Sequence, residues 1–229
     1  MTTNLPVDLY DLGNMAYRDA LDWQRAKAAE VRAEISADAL ALLEHPPVYT
    51  MGARGGDDHM LLSGDALQAK GADLIMTDRG GDMTFHGPGQ LVLYAVLNLR
   101  RRSLRPVDHV RSLERTVLDT LAAFGVPART VKGRPGVWIG SRKVAAIGVS
   151  VRGGVTMHGA AINVTTDLTW FNAIVPCGLH GLGVTSMTRE LGDAPPMDDV
   201  MAEAATAFAE VYQTDVILAE PAMELAGGH

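Results

Sequence analysis

The sequence predicts a mixed α/β (α+β) fold in one domain, a mixed sheet flanked by helices, and three observations carry that reading. Three long segments show apolar residues at helical spacing, and between them lie shorter runs rich in Val, Ile and Leu. Most of those runs are joined by tight Gly- or Pro-containing turns, as in hairpin-linked strands. With 229 residues and 47% apolar content, the chain can bury one sizeable core.

From about Asn14 to Ile35 the residues Tyr17, Ala20, Leu21, Gln24, Ala28 and Val31 recur on one helical face between charged positions. Ala39 to Leu43 is a short apolar run, and Pro46-Pro47 must end it because proline has no amide donor. Leu74–Met76 and Leu91–Leu99 read as strands on either side of a glycine-rich loop. A second helix is expected from Val107 to Phe124, stopped at Gly125. Strand candidates follow at Arg129–Val131, Val137–Ile139, Lys143–Val151 and Val155–Val164, with Gly153-Gly154 as a hairpin turn between the last two. Pro195-Pro196 precedes a third helix from about Met197 to Tyr212. The domain is expected to span residues 1–217, with Leu218 to His229 as an Ala/Glu/Gly-rich tail.

Charge narrows the function. The net charge of −7 argues against a general binder of nucleic acid or anionic membrane. The single cysteine excludes an intramolecular disulfide and calls for no oxidising compartment. The amino terminus lacks the basic start and apolar run of a signal peptide, and no apolar stretch approaches a membrane span, so a cytoplasmic protein is expected. No Cys/His cluster has metal-ligand spacing, and Met51, Met76, Met83 and Met157 read as core or pocket wall.

The chemistry-bearing stretches are few. Arg79-Gly80-Gly81-Asp82-Met83-Thr84-Phe85-His86-Gly87-Pro88-Gly89-Gln90 combines little side-chain bulk with polar ends, as a loop does when its main chain approaches a ligand closely. His158-Gly159-Ala160-Ala161-Ile162-Asn163-Val164 has small residues inside an apolar strand, leaving room for another backbone or a narrow apolar ligand. Cys177 sits in Val175-Pro176-Cys177-Gly178-Leu179, and Lys143 opens the apolar run Lys143-Val144-Ala145-Ala146-Ile147-Gly148. Alone, such a Cys is more often a small buried hydrophobe and such a Lys a solvated strand end.

Taken together, EHPPVYTMG (Glu44–Gly52), RGGDMTFHGPGQL (Arg79–Leu91), KVAAIGV (Lys143–Val149), HGAAINV (His158–Val164), VPCGL and GVTSM closely resemble the lipoyl(octanoyl) transferases, in family order and with Lys143 and Cys177 34 residues apart. The resemblance implies the catalytic-domain fold of the biotin and lipoate protein ligases. It implies transfer of an octanoyl group from octanoyl-acyl carrier protein to the lysine of a lipoyl domain, such as the glycine-cleavage H protein or dihydrolipoyl acyltransferase subunits. Cys177 would carry the acyl thioester and Lys143 would be its activating partner, an ammonium near the sulfur favouring the thiolate. The acyl group would lie along Arg79, Gly80, Gly81, Asp82, Met83, Thr84, Phe85 and His86, with Ala146, Ile147, Gly148, Gly159, Ala160 and Ala161. No ATP, metal or other cofactor is implied. Family members usually carry Tyr or Trp at the position of Phe85, and the position of Asp82 is variable, so no carboxylate role is assigned there.

Other readings stay open at this point. An ATP-dependent lipoate or biotin protein ligase of the same fold would need a phosphate-binding loop, which Met51-Gly52-Ala53-Arg54-Gly55-Gly56 faintly resembles. A non-enzymatic acyl-binding domain would leave Cys177 inert. His86 and His158 admit a Cys–His pair but read better as pocket walls. Gly178-Leu179 or Gly148 are the candidates for oxyanion donors. Arg100-Arg101-Arg102 with Arg105 reads as a solvated loop, or else as a docking patch for an acidic carrier protein.

Overall fold

The computed structural model describes residues 5–56, 60–174 and 183–219. Strand β1 (Val7–Asn14), helix α1 (Tyr17–Arg32) and strand β2 (Asp38–Glu44) form a parallel β-α-β unit. Strand β3 (Val48–Met51), the short helix α2 (Gly64–Ala69), β4 (Asp73–Met76) and β5 (Met83–His86) follow; their strands make a separate small sheet in the order β4-β3-β5. Next come β6 (Gln90–Val96), helix α3 (Pro106–Ala123), β7 (Arg129–Val131), β8 (Arg134–Ile139), β9 (Arg142–Arg152) and β10 (Val155–Asn163). A 3-10 helix (Leu168–Ala173), β11 (Gly183–Val184), α4 (Met187–Leu191), α5 (Met197–Tyr212) and β12 (Val216–Leu218) follow. The large sheet runs β12-β1-β2-β6-β10-β9-β8-β7, and β11 pairs in parallel with the start of β9.

Strand alternation divides the core into two layers. In and just beyond β6, Leu91, Leu93, Ala95 and Leu97 point to Leu113, Val117 and Leu121 of α3 and to Val200, Ala204 and Phe208 of α5. The intervening Val92 and Tyr94 face the other way, with Ala20 of α1, and Val96 joins Tyr17, Leu21 and Val31 there. The small sheet lies on this second side, its Tyr49, Met51, Met83 and Phe85 packed with Leu67 and Phe171. Among the described residues no helix is long and apolar enough to cross a membrane.

The mixed sheet flanked by helices agrees with the expectation, and so does the β9–β10 hairpin, whose Gly153 and Gly154 both adopt positive φ (62° and 90°). Several boundaries differ. The first helix starts at Tyr17, because residues 7–14 form β1, a strand that buries only Val7 fully and so shows no strong apolar pattern. It ends at Arg32, where Glu34 turns left-handed (φ 58°) and leaves Ile35 in solvent. The glycine-rich loop contains a strand, β5. Leu218, expected to open a tail, instead closes β12, which pairs with β1, and the Ala219 amide donates to the Leu9 carbonyl at 2.8 Å.

The basic run also divides. Arg102 is buried and its guanidinium donates to Asp38, whose other oxygen accepts the Asn98 amide at 3.0 Å; Arg105 pairs with Asp108. Removing one member of a buried ion pair strands the other. Asp38→Ala should therefore lose about 3–5 kcal/mol in urea unfolding. Arg100→Ala, on the exposed side of the same run, should change stability by less than about 0.5 kcal/mol. Equal effects of the two would contradict the assignment.

Candidate active site

Lys143 is the second residue of β9, and the sheet builds its surroundings. On one side it registers with Trp138 of β8, and its Nζ lies 4.9 Å from the centre of that indole, over the ring face. On the other side β10 has ended, and Val184 of β11 takes its place in parallel register with Lys143. The Thr185 amide donates to the Lys143 carbonyl at 2.9 Å. The side chain is buried against these neighbours and reaches a cavity of about 570 Å3, within the range of small-ligand sites.

The cavity exists because one face of β9 and β10 is nearly bare. Ala146 registers with Ala161, and Gly148 with Gly159. Gly159 is required by the backbone: a Cβ there would stand 2.1 Å from the Leu93 carbonyl oxygen of β6. Gly148 is required by the loop above it, since a Cβ would stand 2.8 Å from the Gly80 carbonyl oxygen. Beyond Ala145, β8 no longer accompanies β9, and the loop takes over that edge, with the Gly80 amide donating to the Val149 carbonyl at 2.9 Å.

Arg79 fastens this cover to the small sheet. Its Nε and Nη2 donate to the Thr50 hydroxyl at 3.1 and 2.8 Å, and Nη2 also to the Thr50 carbonyl at 2.6 Å. The loop after β3 closes onto the same segment. The amides of Gly52, Ala53 and Arg54 donate to the carbonyls of Asp82, Arg79 and Gly81, and that of Gly55 to Gly52. Four successive amides are thus used within the protein, in the stretch that resembled a phosphate loop.

The mouth and the floor differ in character. Gly133, Arg134 and Pro135, all exposed, stand at the open end beside Lys143, and exposed Arg54 also lines the cavity. The far end is closed by Tyr17, His86, Tyr94 and His158, all buried. From Lys143 to Val149, opposite His158, is six residues of strand, about 20 Å. Burial holds every one of these floor groups neutral: it drives His86 well below the usual imidazole pKa, lowers His158, and raises Tyr17 and Tyr94. Next to them, burial takes His45 down to about 4. The four floor groups are polar and uncharged, and the one permanent charge that acts on all of them is the buried Arg79 guanidinium, which is held by Thr50.

Hydrogen bonds fix the floor. His45 bridges the Met15 carbonyl and the Tyr94 hydroxyl, each at 2.7 Å, and His158 Nε2 meets Asp78 at 2.9 Å. Gln90 Nε2 donates to Asn163 Oδ1 at 2.9 Å, which leaves Gln90 Oε1 to accept from His86 Nδ1 at 2.7 Å. Asn163 Nδ2 in turn donates to the Thr185 carbonyl at 2.9 Å. This chain of bonds links His86 to Thr185, just after β11, whose amide donates to the Lys143 carbonyl.

Of the residues expected along the acyl group, Arg79, Gly80, Gly81, Asp82, Met83, Thr84, His86, Ala146, Ile147, Gly148, Gly159, Ala160 and Ala161 line this one cavity, as does Lys143. Phe85 does not. It points into the core of the small sheet, stacked 5.2 Å from Trp170 and edge-on to Phe171. Cys177, with Gly178 and Leu179, lies outside the described residues; the flanking Phe171 and Val184 line the cavity. Sequence reasoning passed over Tyr17, Gln90, Tyr94, Trp138 and Asn163 as site residues. A signal was present for two of them, since Tyr94 and Asn163 are polar groups within apolar strands.

Comparison with known proteins places the chain. The model of the lipoyl protein ligase A/B catalytic domain matches residues 16–209. An octanoyltransferase of Maridesulfovibrio salexigens is 39% identical over 213 residues, covering 93% of this chain and 99% of that protein. The chain belongs to the octanoyltransferase family. An octanoyltransferase of Roseiflexus sp. is 44% identical over 195 residues, 84% of this chain and 81% of that protein. One of Myxococcus xanthus is 42% identical over 225 residues, 95% of this chain, which spans 62% of that protein's length.

Solved structures agree in fold with this octanoyltransferase family member. A lipoate-protein ligase A bound with ATP superposes with a TM-score of 0.74 at 16% identity, over 96% of this chain and 90% of that one. The bipartite lipoate protein ligase of Thermoplasma acidophilum gives 0.72 at 16% identity, over 96% and 88%. A biotin protein ligase from Aquifex aeolicus, in complex with biotin and ATP, gives 0.54 at 11% identity, over 91% and 70%. The fold expected from the sequence is the one observed.

Two outcomes follow from this geometry. His45 and His109 are both held near 4 by burial, so the unfolded chain, titrating near 6.5, binds more protons than the folded one between those values. Stability is therefore full above about pH 6.5 and falls as the pH drops toward 4; a thermal midpoint that stays level from pH 7.5 to 5 would contradict this. Ala161→Phe should fill the middle of the cavity. Transfer of an eight-carbon chain should fall by roughly 10–200-fold, that of a two-carbon chain far less, in a steady-state comparison of acyl donors.

Proposed function

We propose that this protein moves an octanoyl group from octanoyl-acyl carrier protein to the lysine of a lipoyl domain, through a thioester on Cys177. The observation that carries the reading is the cavity itself: a pocket walled by the bare face of β9 and β10, with Lys143 between its open mouth and its closed interior. Burying an alkyl chain there contributes roughly 0.8 kcal/mol per methylene, about 5 kcal/mol over the six of an octanoyl group.

Support for Cys177 comes from both ends of its segment. Ile174 ends one side in a bridge to Met60, and Val184 resumes beside Lys143. In the reaction, the Cys177 thiolate attacks the donor thioester carbonyl, and the tetrahedral adduct collapses as the carrier sulfur leaves with the proton of the Lys143 ammonium, so the carrier departs as a thiol and Lys143 is left neutral. The two thioesters have similar energy, so this step needs no nucleotide. The acceptor lysine then attacks the new thioester as a free amine. Lys143 takes the proton that this nitrogen sheds, the C–S bond breaks, and the amide forms downhill. The acceptors are lipoyl domains such as the glycine-cleavage H protein and dihydrolipoyl acyltransferase subunits, and the reaction belongs in the cytoplasm. No cofactor takes part.

The ATP-dependent ligase reading is weakened by the loop after β3, whose amides already serve protein carbonyls. Octanoyl transfer with no nucleotide present separates the two readings.

Intact mass after incubation with octanoyl carrier protein tests the assignment. The wild type should gain one octanoyl group and pass it to a lipoyl domain, and Cys177→Ala should do neither. An alanine variant that still gains and transfers the group would remove Cys177 from the mechanism. Lys143→Ala should slow acylation by roughly 10²–10⁴-fold, with its alkylation profile displaced to higher pH.

A further inference from the structure

From Thr120 to Thr166 the chain contains no Asp or Glu, yet it carries Arg129, Lys132, Arg134, Arg142, Lys143 and Arg152, in a protein whose net charge is −7. Three of these have structural settings already described or an evident partner: Lys143 faces the cavity, Arg142 pairs with Glu190 at 2.8 Å, and Arg152 with Asp78 at 3.0 Å. The other three sit on the exposed β7–β8 hairpin. That hairpin forms one lip of the cavity through Gly133, Arg134 and Pro135, and exposed Arg54, on the loop after β3, lines the same cavity. Among the described residues, Arg54, Arg129, Lys132 and Arg134 form no ion pair, whereas exposed arginines such as Arg25 and Arg115 have acidic partners on their own helices. Among the described residues, Glu114 accepts the Gly136 amide at 3.1 Å and Asp82 the Met83 amide at 2.7 Å.

We infer that this cationic rim is the docking face for the acyl donor, a carrier protein with an acidic surface whose acyl group hangs on a phosphodiester-linked thiol arm. The inference rests on the acyl-transfer reading of the same site. An arm that delivers a thioester to Lys143 through this mouth brings its phosphodiester charge to the rim, where the unpaired cations stand. The acceptor brings a lysine, an ammonium in water, which the same rim repels; the charge therefore favours the donor. The run at Arg100 and Arg101 does not serve this role. Arg100 packs over the Gly153–Gly154 turn, and that end of β9 is nine residues from Lys143, about 30 Å away.

The test is steady-state transfer by the full chain from two donors, octanoyl carrier protein and the octanoyl thioester of a small neutral thiol. The double variant Arg129→Glu/Lys132→Glu should raise KM for the carrier donor about tenfold or more, leave the small thioester within about twofold, and not raise KM for the lipoyl domain, which loses a repulsion. Added salt should raise the carrier KM of the wild type and much less that of the variant. Arg100→Glu/Arg101→Glu should change neither donor. Equal effects on both donors, no effect on either, or an effect on the lipoyl domain alone would each overturn the inference. If the wild type fails with both donors, it is the acyl-transfer reading that falls.

Discussion

The clamp between Arg79 and Thr50 is the contact on which the site depends. Glycines and alanines on β9 and β10 leave one face of the large sheet without side chains of its own, and an uncovered apolar face collapses or fills with water. The guanidinium takes three donor contacts to one threonine of the small sheet and so fixes the loop that roofs this face. The loop in turn caps the part of β9 that β8 leaves unpaired. A gap is thereby held open between two sheets, and its shape is set by backbone contacts at Gly148 and Gly159 more than by large side chains.

Electrostatics divides that gap along its length. At the closed end, burial keeps two histidines and two tyrosines uncharged beside the Arg79 guanidinium, and a hydrogen-bond chain through Gln90 and Asn163 ties His86 to Thr185, just after β11. At the open end stand a buried lysine and a rim of exposed cations. An acyl chain can lie against the bare strand face at Ala146 and Ala161 while its reactive carbonyl stays beside Lys143, which is the separation that covalent acyl transfer needs. The neutrality of the floor has a cost at low pH, because each buried imidazole opposes protonation.

Much of this was legible before any coordinates. The helices from Val107 and Met197 carry clear 3.6-residue patterns, and the Gly153-Gly154 hairpin carries a turn signature that admits little else. Strand β1 was missed because it is half exposed and lies beside a strong helical pattern; its pairing with β2 and β12 is long-range information. Phe85 stands in a pocket motif, and only its packing against Trp170 and Phe171, far along the chain, places it in the core. Lys143 and the small residues of β9 and β10 were found because chemistry and steric need mark them in the sequence itself. Tyr17 and Trp138 were not, since an aromatic on a helix or strand reads equally well as core. The basic run at Arg100 drew attention as a contiguous string, whereas the rim cations are spread over a hairpin and a separate loop, and only the fold gathers them.

The most direct measurement is a crystal structure of the protein carrying its octanoyl group. The account predicts continuous density from the Cys177 sulfur past Lys143 into the gap between the sheets, with the alkyl chain against Ala146 and Ala161 and its end toward Tyr94. Density for the chain on the outer surface, or a chain inside whose carbonyl lies remote from Lys143, would contradict it.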